Sequence, residues 1–252
     1  MVKLSAITGY LNNLLSPQLF KDVAMNGLQV EGGSGEVSKV AVAVDSGLSI
    51  IEKAAACGAK LLLVHHGLFW GSPLPITGTL GRKVEILQKA GCSLYASHLP
   101  LDAHLQVGNG AELGRFLGLS NLEGFCEYSG SLIGARGECE GRSLDSFVAQ
   151  AKSLIGGKEP LVLPFGNSTI RTVGIVTGSG AFGVKAAAEA GLDLYFSGEP
   201  KHEVYHLTKE LRINAIFAGH YATETFGVRA LARCLEKEFN LQTVFIDETS
   251  GI

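Results

Sequence analysis

Two pentapeptides, His98-Leu-Pro-Leu-Asp102 and His220-Tyr-Ala-Thr-Glu224, repeat one pattern: a histidine with a carboxylate four residues on, each directly after a short apolar run. Together with the doublet His65-His66 they form a set of imidazoles and carboxylates, the donors that borderline-hard divalent cations such as zinc, manganese or iron take as ligands. A metal site is the chemistry that these types and spacings point to. Each residue also has an ordinary alternative. Adjacent histidines on extended chain point to opposite sides, so one ion rarely takes both while two ions could take one each; hydrogen-bonded loop histidines are the plainer option. Pro100 fixes a turn that presents Asp102, which could equally make an Asx turn or a helix cap. His98 could ligate, hold Asp102, or donate to a bound substrate, and His104 is similar. If a helix begins at His220, Glu224 shares its face, and the two oxygens of that carboxylate suit it to bridge two ions. The alternative there is a solvated first-turn glutamate favoured by the helix dipole.

The elements that must position these groups show as an internal echo. Ser46-Gly47 recurs as Ser179-Gly180 and Gly58 as Gly191, both at an offset of 133. Around those anchors Val40–Val44 lies over 173–177, and Leu61–Val64 over 194–197; Leu94–His98 matches Ile216–His220 at the shorter offset of 122. Each half therefore reads strand, Ser-Gly turn, helix, strand, helix, strand, His-x3-carboxylate. A duplicated α/β unit is the simplest source of that order. All three histidine clusters fall after strands, where open α/β sheets bind ligands. Glu199, in Ser197-Gly-Glu-Pro200, occupies the place of His66 in the echo and is expected to serve as a base or to support a ligand; a helix-entry glutamate is the alternative. His202 and His206 sit among Lys201, Glu203 and Lys209 and read as a solvated helix face.

Composition agrees with a compact α/β protein. The chain has 252 residues, 46% of them hydrophobic, and 33 glycines that suit many tight turns. A net charge of −3 gives no overall basic field, which argues against tight sequence-independent nucleic-acid binding, although a local basic groove would escape this test. No apolar run approaches the roughly 20 residues of a membrane helix, and the start of the chain is amphipathic (Leu4, Ile7, Leu11, Leu14, Leu15) rather than signal-like, so a cytoplasmic location is expected. Five cysteines without a CxxC pair are expected to be free thiols and not metal ligands. The expected division is a first α/β unit over 1–120, a bridging segment over 121–170 with no evident chemistry, and a second α/β unit over 171–252.

The motifs Asn26-Gly-Leu-Gln-Val30, His65-His66-Gly67, His98-Leu-Pro-Leu-Asp102, Ser197-Gly-Glu199 and Gly219-His220 with Glu224 resemble the NGG-one-interacting-factor-three-like proteins, the type 2 homologues of GTP cyclohydrolase I, in the pattern of short bacterial members typified by YbgI. The resemblance covers nearly the whole chain. It implies two similar three-layer α/β units with a dinuclear metal site between the two halves, and a toroidal homohexamer. The ligands that it implies are His65, His66, Asp102, His220 and Glu224, with His66 and Asp102 on one ion, His65 and His220 on the other, and Glu224 on both. Tyr221 departs from the YbgI-like pattern, which has a second histidine there. Zinc, iron, manganese and nickel all suit such ligands. A paired-metal centre can carry a bridging hydroxide, so a hydrolase acting on a nucleotide-like, small phosphorylated or cyclic-amide substrate is expected, with Glu199 or His98 moving protons. The alternative is a non-catalytic, metal-stabilised ring scaffold that binds nucleic acid or protein.

Overall fold

The protein is described by a computed structural model that covers residues 1–33, 35–72 and 74–251. Its elements in chain order are β1 (Val2–Lys3), α1 (Leu4–Leu15), β2 (Gly27–Val30), β3 (Glu36–Val37), β4 (Lys39–Asp45), α2 (Leu48–Ala56), β5 (Leu61–His66), α3 (Gly78–Ala90), β6 (Ser93–Ala96), α4 (Leu99–Asp102), α5 (Asn109–Phe116), β7 (Ser120–Tyr128), β8 (Ser131–Ser143), α6 (Leu144–Leu154), β9 (Leu161–Pro164), β10 (Thr169–Val176), α7 (Gly183–Glu189), β11 (Leu194–Ser197), α8 (Val204–Leu211), β12 (Asn214–Phe217), α9 (His220–Phe239) and β13 (Gln242–Phe245). They sort into two compact units, one on Met1–Leu101 with Gly227–Glu248, the other on Asp102–Phe226 with the last residues from Thr249 on.

The first unit is built on a sheet ordered β13-β4-β5-β6-β2, in which β13, β4, β5 and β6 run parallel and β2 closes one edge antiparallel. β4 and β5 are continuous apolar runs because both faces of the sheet are covered. Ala41, Ala43, Leu62, Val64, Leu94 and Ala96 pack with Ile50, Ile51 and Ala54 of α2 and Leu87 of α3. The alternate residues Val40, Val42, Leu61, Leu63 and Tyr95 are equally buried on the other face, where the Tyr95 hydroxyl donates to Asn12 of α1. α1 turns Leu4, Ile7, Leu11 and Leu15 inward, as their helical spacing requires.

The second unit repeats the plan. β10, β11 and β12 are parallel and in register, with β8 and β7 antiparallel on one side and β9 antiparallel on the other. Leu113 and Leu117 at α5 and Phe147 and Ala151 of α6 cover Val173, Ile175, Leu194 and Phe196. On the opposite face Tyr195 is buried against Gly183, the first residue of α7, where an added Cβ would run into the phenol ring. Both units are thus three-layer α/β structures containing the same βαβαβ core, as the echo at offset 133 anticipates.

The boundaries differ from the expected 120 and 170. Residues 121–170 are not a bridge: they supply β7, β8, α6 and β9, three of which hydrogen-bond into the second sheet. The carboxyl-terminal strand does not belong to the second unit, because β13 pairs with β4. Period alone identifies such strands but not the sheet that recruits them.

Candidate metal centre

In the first unit three imidazoles gather at the carboxyl ends of β5 and β6. His65 is fully buried, and its Nδ1 lies 2.8 Å from the carbonyl oxygen of Ser97. A carbonyl can only accept, so Nδ1 carries the proton and Nε2 the lone pair. His66 closes β5 opposite Asp45 of β4, and its Nδ1 donates to Asp45 Oδ1 at 2.8 Å. His98 follows β6, and its Nδ1 donates to Asp22 at 2.9 Å. The rings of the doublet lie 4.7 Å apart, His98 lies 5.1 Å from His65 and 5.8 Å from His66, and one ligand atom from each of the three falls within 4.8 Å of the others. Strand alternation alone points neighbouring side chains apart. Here each ring is anchored to a different neighbouring strand segment, and the anchors turn the two rings toward a common region.

Asp22 organises this cluster. Its carboxylate is 2% exposed and accepts from His98 Nδ1, Asn26 Nδ2 and the backbone N–H groups of Ala24 and Leu99. Burial works against its charge, but the hydrogen bonds from His98 and Asn26 outweigh it and hold the carboxyl down at about 2. Asn26 completes the cradle by accepting the His98 backbone N–H at 2.7 Å. The carboxylate expected as one partner for His98 was Asp102; the Nδ1 proton goes to Asp22 instead. Trp70, the sole tryptophan, stands over the cluster with its ring 5.0 Å from His98 and 5.8 Å from His66.

In the second unit His220 and Glu224 stand beyond β12, and Glu199 beyond β11. α9 begins at His220, so His220 and Glu224, one turn apart, share a face of it. His220 Nδ1 donates to Glu199 Oε1 at 2.9 Å, and its Nε2 meets Glu224 Oε2 at 3.0 Å. Burial disfavours a charged ring here, yet the hydrogen bond and charge of Glu224, joined by Glu199, raise the pKa to about 9. Glu199 itself is lowered, first by a hydrogen bond from Ser179, against burial and with help from His220. It follows the second strand of its βαβαβ core, β11, as His66 ends the second strand, β5, of the core in the first unit. Asp102, buried at the end of α4, accepts on Oδ1 from Asn109 Nδ2 at 2.8 Å and Thr177 Oγ1 at 3.2 Å. Gly178 has φ of +60°, and a Cβ there would collide with the Glu224 carboxylate and lie 3.1 Å from His220 Nε2. Only glycine satisfies both conditions.

The other histidines have structural settings. His104 Nδ1 accepts from the backbone of Gln106 and Val107, while His202 and His206 are exposed on or beside α8. Tyr221 is buried. The five cysteines are free thiols; burial pushes Cys92 up to about 12 and Cys126 to about 11. Among the described residues no helix is long and apolar enough to cross a membrane.

Four histidines therefore share one device, a ring locked through Nδ1 to an acceptor, with carboxylates in three cases. This is how proteins orient an imidazole toward a metal through Nε2 and raise its basicity. The donor set fits a divalent cation, and these groups could hold one. Residues 2–251 match the family Duf34/NIF3 (NGG1p interacting factor 3). The chain belongs to that family. It is 42% identical to the GTP cyclohydrolase 1 type 2 homolog of Archaeoglobus fulgidus, over 98% of each chain. Among solved structures it resembles TTHA1606 from Thermus thermophilus, with 42% identity, full coverage of both chains and a TM-score of 0.91, and protein ybgI, with 30% identity, the same coverage and the same TM-score. In this Duf34/NIF3 chain, Asp22, Asp45, Asn109, Thr177 and Trp70 are the residues that motif reading left without a role. Asp45 had a signal, since it ends one parallel strand beside the strand that ends at His66. Asp22 had none, because it lies 76 residues from the ring that it holds.

Proposed function

We propose that the protein is a metal-dependent hydrolase whose His65, His66, Asp102, His220 and Glu224 hold two divalent ions. The observation that carries this reading is the common Nδ1 lock on the histidines, which leaves Nε2 of each ring as the ligand atom; at His220 an ion would take the place of the proton that faces Glu224. Membership of the family supports it, as does the choice of histidine and carboxylate over cysteine. Five ligands for two ions leave coordination positions open, unlike the closed four-ligand set of a structural zinc site. Bound ions would supply Lewis acidity and lower the pKa of a shared water.

The side chains around them do the rest. Glu199 holds the His220 ring and keeps its Nδ1 proton, Asp45 does the same for His66, and Asn109 with Thr177 fix one oxygen of Asp102. His98 is placed to exchange a proton with a bound substrate. The substrate class that suits this set is nucleotide-like, small phosphorylated or cyclic-amide. The homohexameric ring expected from the family resemblance belongs to the same proposal. The test is metal content per chain by mass spectrometry, together with hydrolysis of phosphodiester, nucleotide and cyclic-amide substrates by the loaded protein and by Glu224→Ala. Two ions per chain and an activity lost in Glu224→Ala are expected. Two ions with no activity in either protein would favour the scaffold, and no bound ion would refute both.

A further inference from the structure

The most elaborately held side chain in the first unit is His98, which is not among the five ligands. Its ring is fixed by a carboxylate that accepts four donors, and its backbone N–H is taken by Asn26. A proton relay alone does not need a ring anchored at Nδ1 with its backbone N–H fixed beside it. His65, His66 and His98 each carry an acceptor on Nδ1, and their ligand atoms lie within 4.8 Å of one another. A zinc-like ion bound at about 2.1 Å by three imidazoles needs nitrogens about 3.4 Å apart, so the three rings would close in on binding. The ring centroids lie 4.7 to 5.8 Å apart, with the ring planes mutually inclined by 45° to 53°.

We propose that His65, His66 and His98 form a three-imidazole site that captures a single divalent ion with ligands of the first unit alone, and that Asp22 positions its third ligand. The proposal rests on the reading of His65 and His66 as metal-binding. It does not need a second ion or any donor from Asp102–Phe226. All three ligands are neutral imidazoles, which favours zinc, cobalt, nickel or copper over magnesium or calcium. Such a site would fill first at low metal and hold the first ion until the five-ligand set is complete.

Cobalt(II) is the probe, followed by visible ligand-field absorption, by quenching of Trp70 fluorescence and by calorimetric stoichiometry. The starting protein is the metal-free full chain carrying His220→Ala and Glu224→Ala. It is expected to bind one cobalt ion per chain and to quench Trp70. Adding His98→Asn should weaken that binding at least ~100-fold, and adding Asp22→Asn should weaken it about 10- to 100-fold, the usual effect of removing a group that orients a ligand. Asn is chosen at 98 because its amide N–H can still donate to Asp22, and a thermal melt will confirm that each variant folds. No ion in the His220/Glu224 variant when the unsubstituted chain binds two would overturn the capture site and leave the five-ligand reading standing. One ion whose affinity is unchanged by His98→Asn would overturn the role of His98. A single ion in the unsubstituted chain, lost with His98→Asn and kept in the His220/Glu224 variant, would support this proposal and refute the dinuclear one.

Discussion

Asp22→Asn separates a charge from a shape at the best-anchored carboxylate of the first unit. The carboxylate presents Oδ1 to Ala24 N–H and His98 Nδ1, and Oδ2 to Asn26 Nδ2 and Leu99 N–H. An amide has one oxygen, so either orientation turns an NH2 group toward two donors inside a site that is 2% exposed. Unsatisfied buried donors cost about 1–3 kcal/mol each. The titration gives a second handle. A carboxyl held at about 2 instead of its ordinary 3.8 stabilises the folded state by about 2 kcal/mol at neutral pH. The sign follows from the lowered pKa: this stability is fully present above 3.8 and is lost as pH falls toward 2. We therefore expect metal-free Asp22→Asn to be less stable than the unsubstituted chain by at least ~2 kcal/mol at pH 7. The gap should narrow by about 1 kcal/mol at pH 3. Urea unfolding followed by Trp70, which reports on the same unit, measures both quantities, and metal-free protein removes stabilisation by bound ligand. A gap below about 0.5 kcal/mol at pH 7, the scatter of an ordinary surface substitution, or a gap that widens toward pH 3 would refute the reasoning.

Gly178→Ala should cost about 1–2 kcal/mol from the left-handed backbone alone and should also displace the Glu224 carboxylate; retained metal content with an unchanged melt would contradict this. Glu199→Gln leaves an acceptor for His220 Nδ1 but removes the charge, and about a tenfold weaker metal affinity is expected by calorimetry, whereas Glu199→Ala should fall toward 100-fold. Chelation of loaded protein should lower the melting temperature, and the size of the drop should grow with the metal concentration before chelation; a melt indifferent to metal would count against any bound ion in the native state. Light scattering should give six chains of 26.5 kDa, and a monomeric mass would remove the ring from the proposal. Cys92 and Cys126, buried and with raised thiol pKa values, should stay unmodified by a thiol reagent in native protein at pH 8 and react on unfolding.

The parts of the fold that were legible in the sequence are those governed by local rules. The βαβαβ core declares itself because apolar runs such as Val40–Val44 and Leu61–Val64 end in Ser-Gly or His-His-Gly and repeat at a fixed offset. The placement of His65, His66, His98 and His220 at or just beyond the carboxyl ends of strands follows from the same rule. The role of residues 121–170 was not legible: β7 and β8 contain exposed and charged residues, so no two-sided burial marks them. The assignment of β13 to the first sheet was equally hidden, since a Thr-Val-Phe-Ile run fits any open edge. The largest omission was the layer behind the histidines. Asp22 and Asn26 lie in a loop with no periodicity, and only the folded chain shows that the Asn26-Gly motif exists to hold His98.

α9 places two candidate ligands one turn apart near its start, while Val228, Leu231 and Leu235 are buried further along the same helix. The division between the units falls within it, after Phe226. A fragment cut at that point would keep only the stretch from His220 to Phe226, about two turns, which is too short to hold its shape in water without neighbours. The end of the helix that carries His220 and Glu224 is thus rooted in sequence that belongs to the other half, and the protein cannot be divided into two portable modules without uprooting it.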